Sequence, residues 1–257
     1  MTHHANTAVV EFLGLRFALS NEAAAREWVI EHSRMAAFSF LVTPNVDHVV
    51  RLHRERPGPD RDALYRAYDS ADLCLCDSRI LALLARWSGV DLPVVAGSDL
   101  TASLLSAPLP EGTRIALVGG NDTQRMWLEA ARPEAQLFHH QPPMGLRTNL
   151  PAQAAAAAFV EETQPHITLL TVGAPQSEII AQLIKSQGEA RGVGLCVGAS
   201  LEFLTGEKRR APRAVQAIRM EWAFRLLSEP WRLWRRYLVE GPAILGIWRR
   251  WRRENGG

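Results

Sequence analysis

The chain has 257 residues, 47% of them apolar and 22% charged, an ordinary globular composition that excludes a disordered or collagen-like protein. A chain this long buries roughly 70–75% of its unfolded surface, so it needs neither disulfides nor a structural metal to hold a core. The net charge of +2 hides an asymmetry: residues 207–257 hold 13 basic and 5 acidic side chains, net +8, and five of the eight tryptophans.

The first apolar stretch, Ala8–Leu19, is interrupted by Glu11 and Arg16, which argues against a signal peptide. Glu22–Ser33 reads as a helix with Asn21 as its cap. Phe38–Val42 reads as a strand ending at Thr43-Pro44-Asn45, and Val46–Arg54 as a helix stopped by Pro57-Gly58-Pro59. A helix over Ala63–Asp69 precedes a strand, Ala71–Cys76, that ends at Asp77; Ser78–Trp87 is the next helix. Leu100–Ser106 (helix), Arg114–Val118 (strand), Thr123–Ala131 (helix) and Ala135–His139 (strand) follow, with His139-His140 read as an incidental pair in a polar loop. Ala152–Glu162 is helical, Ile167–Val172 a strand, Ser177–Ser186 a helix and Val193–Val197 a strand.

This alternation, repeated about six times, predicts an α/β fold: a Rossmann-like, mostly parallel sheet with helices on both faces. Strand signals stop near Gly206. Two units are expected, an α/β core over 1–206 and a basic, Trp-rich helical appendage over 207–257. No run of 18 apolar residues suggests a spanning helix. Cys74, Cys76 and Cys196, an odd number without CxxC, read as buried thiols of a cytoplasmic protein.

In open α/β sheets, ligands bind at the carboxyl ends of the strands. Those ends carry Thr43-Pro44-Asn45, Asp77-Ser78, Gly119-Gly120-Asn121, Gly173-Ala174-Pro175 and Gly198-Ala199-Ser200. Glycine admits a ligand close to the backbone, and the helix N-termini that follow offer N–H groups to phosphate. The same glycines also suit plain tight turns. Neither GxGxxG nor GxxxxGK[ST] occurs, which lowers dinucleotide and P-loop readings. Asp77 ends an apolar strand, so it suits a partly desolvated general base; it equally suits the cap of the following helix. Asp99 reads as a cap or a hydroxyl ligand. Asp60-Arg61-Asp62 has the Asp-x-Asp form of metal-dependent transferases but precedes a helix, so it reads as a capping segment. The histidines make no metal-ligand spacing.

The tail interleaves Arg209, Arg213, Arg219, Arg225 and Arg232 with Trp222, Trp231, Trp234, Trp248 and Trp251. Basic helices with tryptophan suit anionic lipid headgroups, and arginine forks suit diphosphates. A solvated basic face against the acidic core is the plainer reading. No nucleic-acid motif accompanies the tail, so a nucleic-acid partner is not expected.

Several blocks together resemble the WecG/TagA/CpsF family of bacterial glycosyltransferases, glycosyltransferase family 26. They are TPNVDHVV at 43–50, ADLCLCDS at 71–78, AGSDL at 96–100, RIALVGG at 114–120, TVGAPQSE at 171–178, VGASLEFLTGEKRRAPRAVQ at 197–216 and MEWAFRLLSEPWRLWRRYL at 220–238. The last two are the most specific. The resemblance implies an inverting, metal-independent hexosyltransferase without a cofactor. It would move a sugar from a UDP-sugar to a polyprenyl-diphosphate-linked acceptor in cell-surface glycan synthesis. The donors it implies are UDP-N-acetylmannosamine, its uronic acid, UDP-glucose or UDP-glucuronate. It implies work at the inner face of the cytoplasmic membrane, with peripheral attachment, and it allows a homo-oligomer.

By the same resemblance Asp77 is the base, and Thr43 and Asn45 belong to the catalytic pocket. Gly97, Ser98, Asp99, Gly119, Gly120, Gly173, Pro175, Gln176 and Glu178 are expected to line the nucleotide-sugar, and the five arginines named above to meet the diphosphate or acceptor. Three departures bear on donor choice: Ser78 replaces the usual glycine, Gln176-Ser177 replace Lys-Gln, and Glu202 stands where aspartate is usual. The rival reading is a non-catalytic membrane-binding scaffold that uses the basic tail.

Overall fold

The computed structural model describes residues 8–54, 58–208 and 241–255, and positions 223, 224, 226 and 231. The chain opens with an antiparallel hairpin, β1 (Val9–Phe12) and β2 (Leu15–Ala18). Glu11 pairs with Arg16 on its exposed face, so the two charges that interrupt the apolar run are a hairpin's solvent side. Leu13 and Gly14 turn it with φ of 52° and 76°, the two positive values that suit the right-handed twist of the strands. The hairpin is absent from the sequence reading: each strand is too short to establish a period.

The core follows as α1 (Glu22–His32), β3 (Ser39–Val42), α2 (Val46–Arg54), α3 (Pro59–Asp69), β4 (Leu73–Cys74), α4 (Arg79–Arg86) and α5 (Gly97–Ser106). It continues as β5 (Arg114–Val118), α6 (Asp122–Ala131), β6 (Gln136–His140), α7 (Leu150–Thr163), β7 (Ile167–Leu170), α8 (Gln176–Gln187), β8 (Val193–Cys196) and α9 (Ser200–Leu204). The last described helix is α10 (Ala243–Asn255). His139 and His140 thus end strand β6 rather than lie in a loop. Asn21 caps α1 as expected, accepting from Ala24 N at 2.9 Å.

The main sheet has six parallel strands in the order β4-β3-β8-β7-β5-β6. Alternate side chains divide it into two cores. Phe40, Val42, Cys74, Cys76, Val118, Leu170 and Cys196 face one side, with the hairpin, α2, α3, α4, α7, α8 and Ile244 of α10. Leu41, Leu73, Leu75, Ile115, Leu117, Leu169 and Leu195 face the other, with α1, α5, α6 and α9. All three thiols are therefore buried on one face, and burial raises the Cys76 thiol to about 12. Asp72 joins the layers: its Oδ2 accepts from Phe40 N at 2.9 Å and its Oδ1 from Lys185 Nζ at 2.6 Å.

Trp248 and Trp251 of α10 do not face outward. Trp251 meets Phe12 edge-on at 5.0 Å, and Trp248 packs beside Trp87 at 5.9 Å. Arg249, Arg250, Arg252 and Arg253 remain exposed. Among the described residues, no helix is long and apolar enough to cross a membrane.

Candidate active site

Parallel strands end on one edge, so the sheet brings the turns after β3, β4, β5, β7 and β8 to the same side. The β3–β4 ladder continues beyond its regular part: Leu75 N donates to Val42 O at 2.9 Å and Asp77 N to Pro44 O at 3.1 Å. This holds Asp77 beside the Thr43-Pro44-Asn45 turn. Asp77 is half-buried. It does not cap α4; Ser78 does, its hydroxyl accepting from Leu81 N at 3.2 Å.

Thr43 is 6% exposed, and its hydroxyl donates to Cys196 O at 3.2 Å, locking the ends of β3 and β8 together. Asn45 makes a local turn: its Oδ1 accepts from Asp47 N at 3.0 Å, and its own N–H donates to His48 Nδ1 at 3.0 Å. On the far side of β4, Val95 N donates to Cys76 O at 2.9 Å, which delivers the start of α5 to the same edge. A Cβ on Gly97 would lie 3.0 Å from Thr43 Oγ1 and 3.6 Å from Ser200 Oγ, so only glycine fits between β3 and α9 without a shift. Ser98 and Asp99 follow in the first turn of α5. Asp99 is not its cap, because Ala96 holds that position.

Gly119 and Gly120 turn the chain after β5 with φ of 93° and 71°. The next residue, Asn121, caps α6 by accepting from Gln124 N at 2.9 Å. Gly173, also at positive φ, and the cis Ala174-Pro175 bond turn the chain after β7 into α8. The Gln176 amide, oriented to donate, reaches Ala174 O at 3.1 Å. Ser177 is buried and donates to Leu170 O at 3.1 Å. Glu178 is 3% exposed, and its Oε1 faces His48 Nε2 at 3.9 Å. Burial pushes its carboxyl up to about 7.

Three features escape the sequence reading. His48 and Arg51 share one face of α2, and Arg51 reaches Ala174 O at 3.4 Å; their spacing of three was the only signal. Glu207 accepts from Asn121 Nδ2 and Gln124 Nε2, both at 2.7 Å, and from Thr205 Oγ1 at 2.9 Å. These hydrogen bonds hold its carboxyl below the usual range and anchor the segment after α9 over the β5 turn. Lys208 pairs with Glu202. Arg209, Arg213, Arg219, Arg225 and Arg232 lie outside the described residues, as do Trp222 and Trp234.

No cluster of three or more His, Cys, Asp or Glu fit to hold a metal occurs among the described residues. Asp62 of the Asp-x-Asp segment sits in the first turn of α3, its N–H donating to Gly58 O at 3.0 Å. A cavity of about 400 Å³ opens between the hairpin, α3 and β4, lined by Arg16, Tyr65, Tyr68 and Asp72. None of its lining residues belongs to the strand-end turns, so this cavity and the chemistry-bearing edge are separate places.

The edge therefore joins a half-buried carboxylate, three glycine-bearing turns and the N-termini of α5, α6 and α8. That arrangement suits a ligand with a reacting hydroxyl and an anionic leaving group. The sequence model of the Glycosyl transferase WecG/TagA/CpsF family matches residues 10–256. The match includes the hairpin from Val10 onward, the whole sheet and α10, and the chain belongs to this family of glycosyltransferases of cell-surface glycan synthesis.

Proposed function

We propose that the protein is an inverting, metal-independent hexosyltransferase that moves a sugar from a UDP-sugar to a polyprenyl-diphosphate-linked acceptor. The observation that carries the reading is the placement of Asp77. Its backbone is fixed to Pro44, and Ser78 takes the capping duty that would otherwise explain an aspartate there.

In this reading an acceptor hydroxyl lies against Asp77. The carboxylate takes its proton as the oxygen attacks the anomeric carbon. The carbon–oxygen bond to the diphosphate breaks, UDP departs with the electron pair, and the configuration inverts. A positioned general base contributes on the order of 10²–10⁴ in rate. The leaving diphosphate gathers charge, which the N-termini of α5, α6 and α8 oppose. Gly97, Ser98, Asp99, Gly119, Gly120, Gly173, Pro175 and Gln176 line the donor; Asn45 stands beside the base. Arg209, Arg213, Arg219, Arg225 and Arg232 supply further positive charge to the diphosphate or acceptor.

Residues 207–257 act as the appendage that meets anionic headgroups on the inner face of the cytoplasmic membrane. The exposed arginines of α10 support that role, whereas Trp248 and Trp251 serve the core.

The test is a thermal-shift panel with anionic liposomes, followed by a transfer assay with a synthetic polyprenyl-diphosphate sugar. A ligand at 100 times its Kd adds about 2.7 kcal/mol. Stabilisation by UDP and one UDP-sugar, with transfer unchanged by chelator, supports the reading. Liposome binding without any nucleotide response contradicts it and favours the scaffold.

A further inference from the structure

His48 and Arg51 stand three residues apart on α2, hence on one face, and that face meets the start of α8. Nδ1 of His48 accepts the backbone N–H of Asn45 at 3.0 Å. A ring nitrogen that accepts carries no proton, so the neutral imidazole holds its proton on Nε2, the nitrogen turned toward Glu178 Oε1 at 3.9 Å. That distance exceeds a hydrogen bond but lies in a closed interior, where charge acts strongly.

Glu178 is an expensive residue in this place. It is 3% exposed, and its Oε2 has no hydrogen-bond partner among the described residues. The groups facing it are His48 and Arg51 from α2, Tyr68 from α3 and Cys196 from β8. An apolar side chain would fill the space without the desolvation cost. The contacts beyond it lead to the reacting edge: His48 holds Asn45 N, and Pro44 O, in the same turn, holds Asp77 N at 3.1 Å.

We propose that Glu178 is a positioning residue that, through His48, selects the ring tautomer gripping the Asn45 N–H and thereby sets the turn against which Asp77 is held. Its effect on turnover rests on the glycosyltransferase reading; its effect on the tautomer does not.

The experiment uses the full chain at pH 8, labelled with ¹⁵N in histidine and asparagine. Long-range proton–nitrogen spectra report the His48 tautomer, and the amide signal reports Asn45. The wild type is expected to show a single tautomer protonated at Nε2. Glu178→Leu is expected to mix the tautomers and shift the Asn45 amide, and Glu178→Met, which keeps the length of the side chain without an acceptor oxygen, to do the same if the leucine variant folds poorly. An unmoved tautomer in the folded variants overturns the proposal.

In the transfer assay, kcat of the Glu178 variants should fall by about ten- to a hundredfold with donor KM nearly unchanged. Adding His48→Asn should restore it, because the asparagine oxygen takes the place of Nδ1 and has no tautomer to choose. A shifted tautomer with unchanged kcat, or no rescue, overturns the positioning role. If the wild type transfers no sugar at all, the functional reading fails while the tautomer spectra still decide the pair.

Discussion

Trp248 Nε1 donates to Ser88 Oγ at 2.9 Å, joining α10 to the end of α4 across 160 residues of chain. With Trp251 against Phe12, this bond packs the last helix onto the core. Trp251→Ala should destabilise the protein by about 2–3 kcal/mol, somewhat below the range for a fully enclosed tryptophan. Ser88→Ala should cost about 1 kcal/mol, the net worth of one hydrogen bond. Urea unfolding of the two variants checks both values.

Asp77 and Ser78 are adjacent but should separate cleanly. Asp77→Asn should lower transfer by about 10²–10⁴ and leave the urea midpoint and UDP affinity nearly unchanged. Ser78→Ala should remove about 1 kcal/mol of stability, the value of a helix cap, and keep most of the activity at temperatures where the protein stays folded. The reverse pattern would make Asp77 structural.

Gly119 and Gly173 both have positive φ but differ in their surroundings. A Cβ on Gly119 would lie 2.8 Å from Val172 Cγ1 and 3.0 Å from Val172 N, whereas nothing lies within 4 Å of one on Gly173. Gly173→Ala should cost about 1 kcal/mol through backbone strain alone, and Gly119→Ala about 3 kcal/mol because the ends of β5 and β7 must part. Equal losses in equilibrium unfolding would contradict this contrast.

Burial raises the Glu178 carboxyl from 4.5 to about 7. Between those values the unfolded chain releases a proton that the folded chain keeps, so this group makes stability fall as pH rises. Glu178→Gln removes that loss. The variant should therefore gain on the wild type between pH 5 and pH 8, by on the order of 3 kcal/mol. Unfolding at both pH values measures the difference; a constant offset would show that the carboxyl titrates normally.

The order of helices and strands, the parallel sheet and the cap at Asn21 were legible because each leaves a local trace. A strand of four or five apolar residues followed by a glycine or proline turn has few other ways to fold. The N-terminal hairpin was not legible. Its strands have four residues each, and its decisive feature, the positive φ of Leu13, is imposed by pairing Val9–Phe12 with Leu15–Ala18. The identity of the α4 cap was also undecidable, since Asp77 and Ser78 are equally good capping residues until their backbone angles are set.

Sequence by itself determined which residue types end the strands and how charge divides between core and tail. Both are properties of neighbouring residues, and they are what placed Asp77, Gly97, Gly119 and Gly173 among the candidates. Only the tertiary structure decided which of the candidates turn outward. Thr43, Asp77 and Glu178 all border strand-end turns, yet Thr43 is tied to Cys196 O, Asp77 is half-buried at the edge, and Glu178 points inward to His48. The tail tryptophans divide in the same way: Trp231 is 92% exposed, whereas Trp248 and Trp251 pack on the core. The physical reason is that burial depends on what arrives from distant parts of the chain. α2, α8 and α10 converge through contacts over a hundred residues apart, and no local pattern records which side chain they will cover.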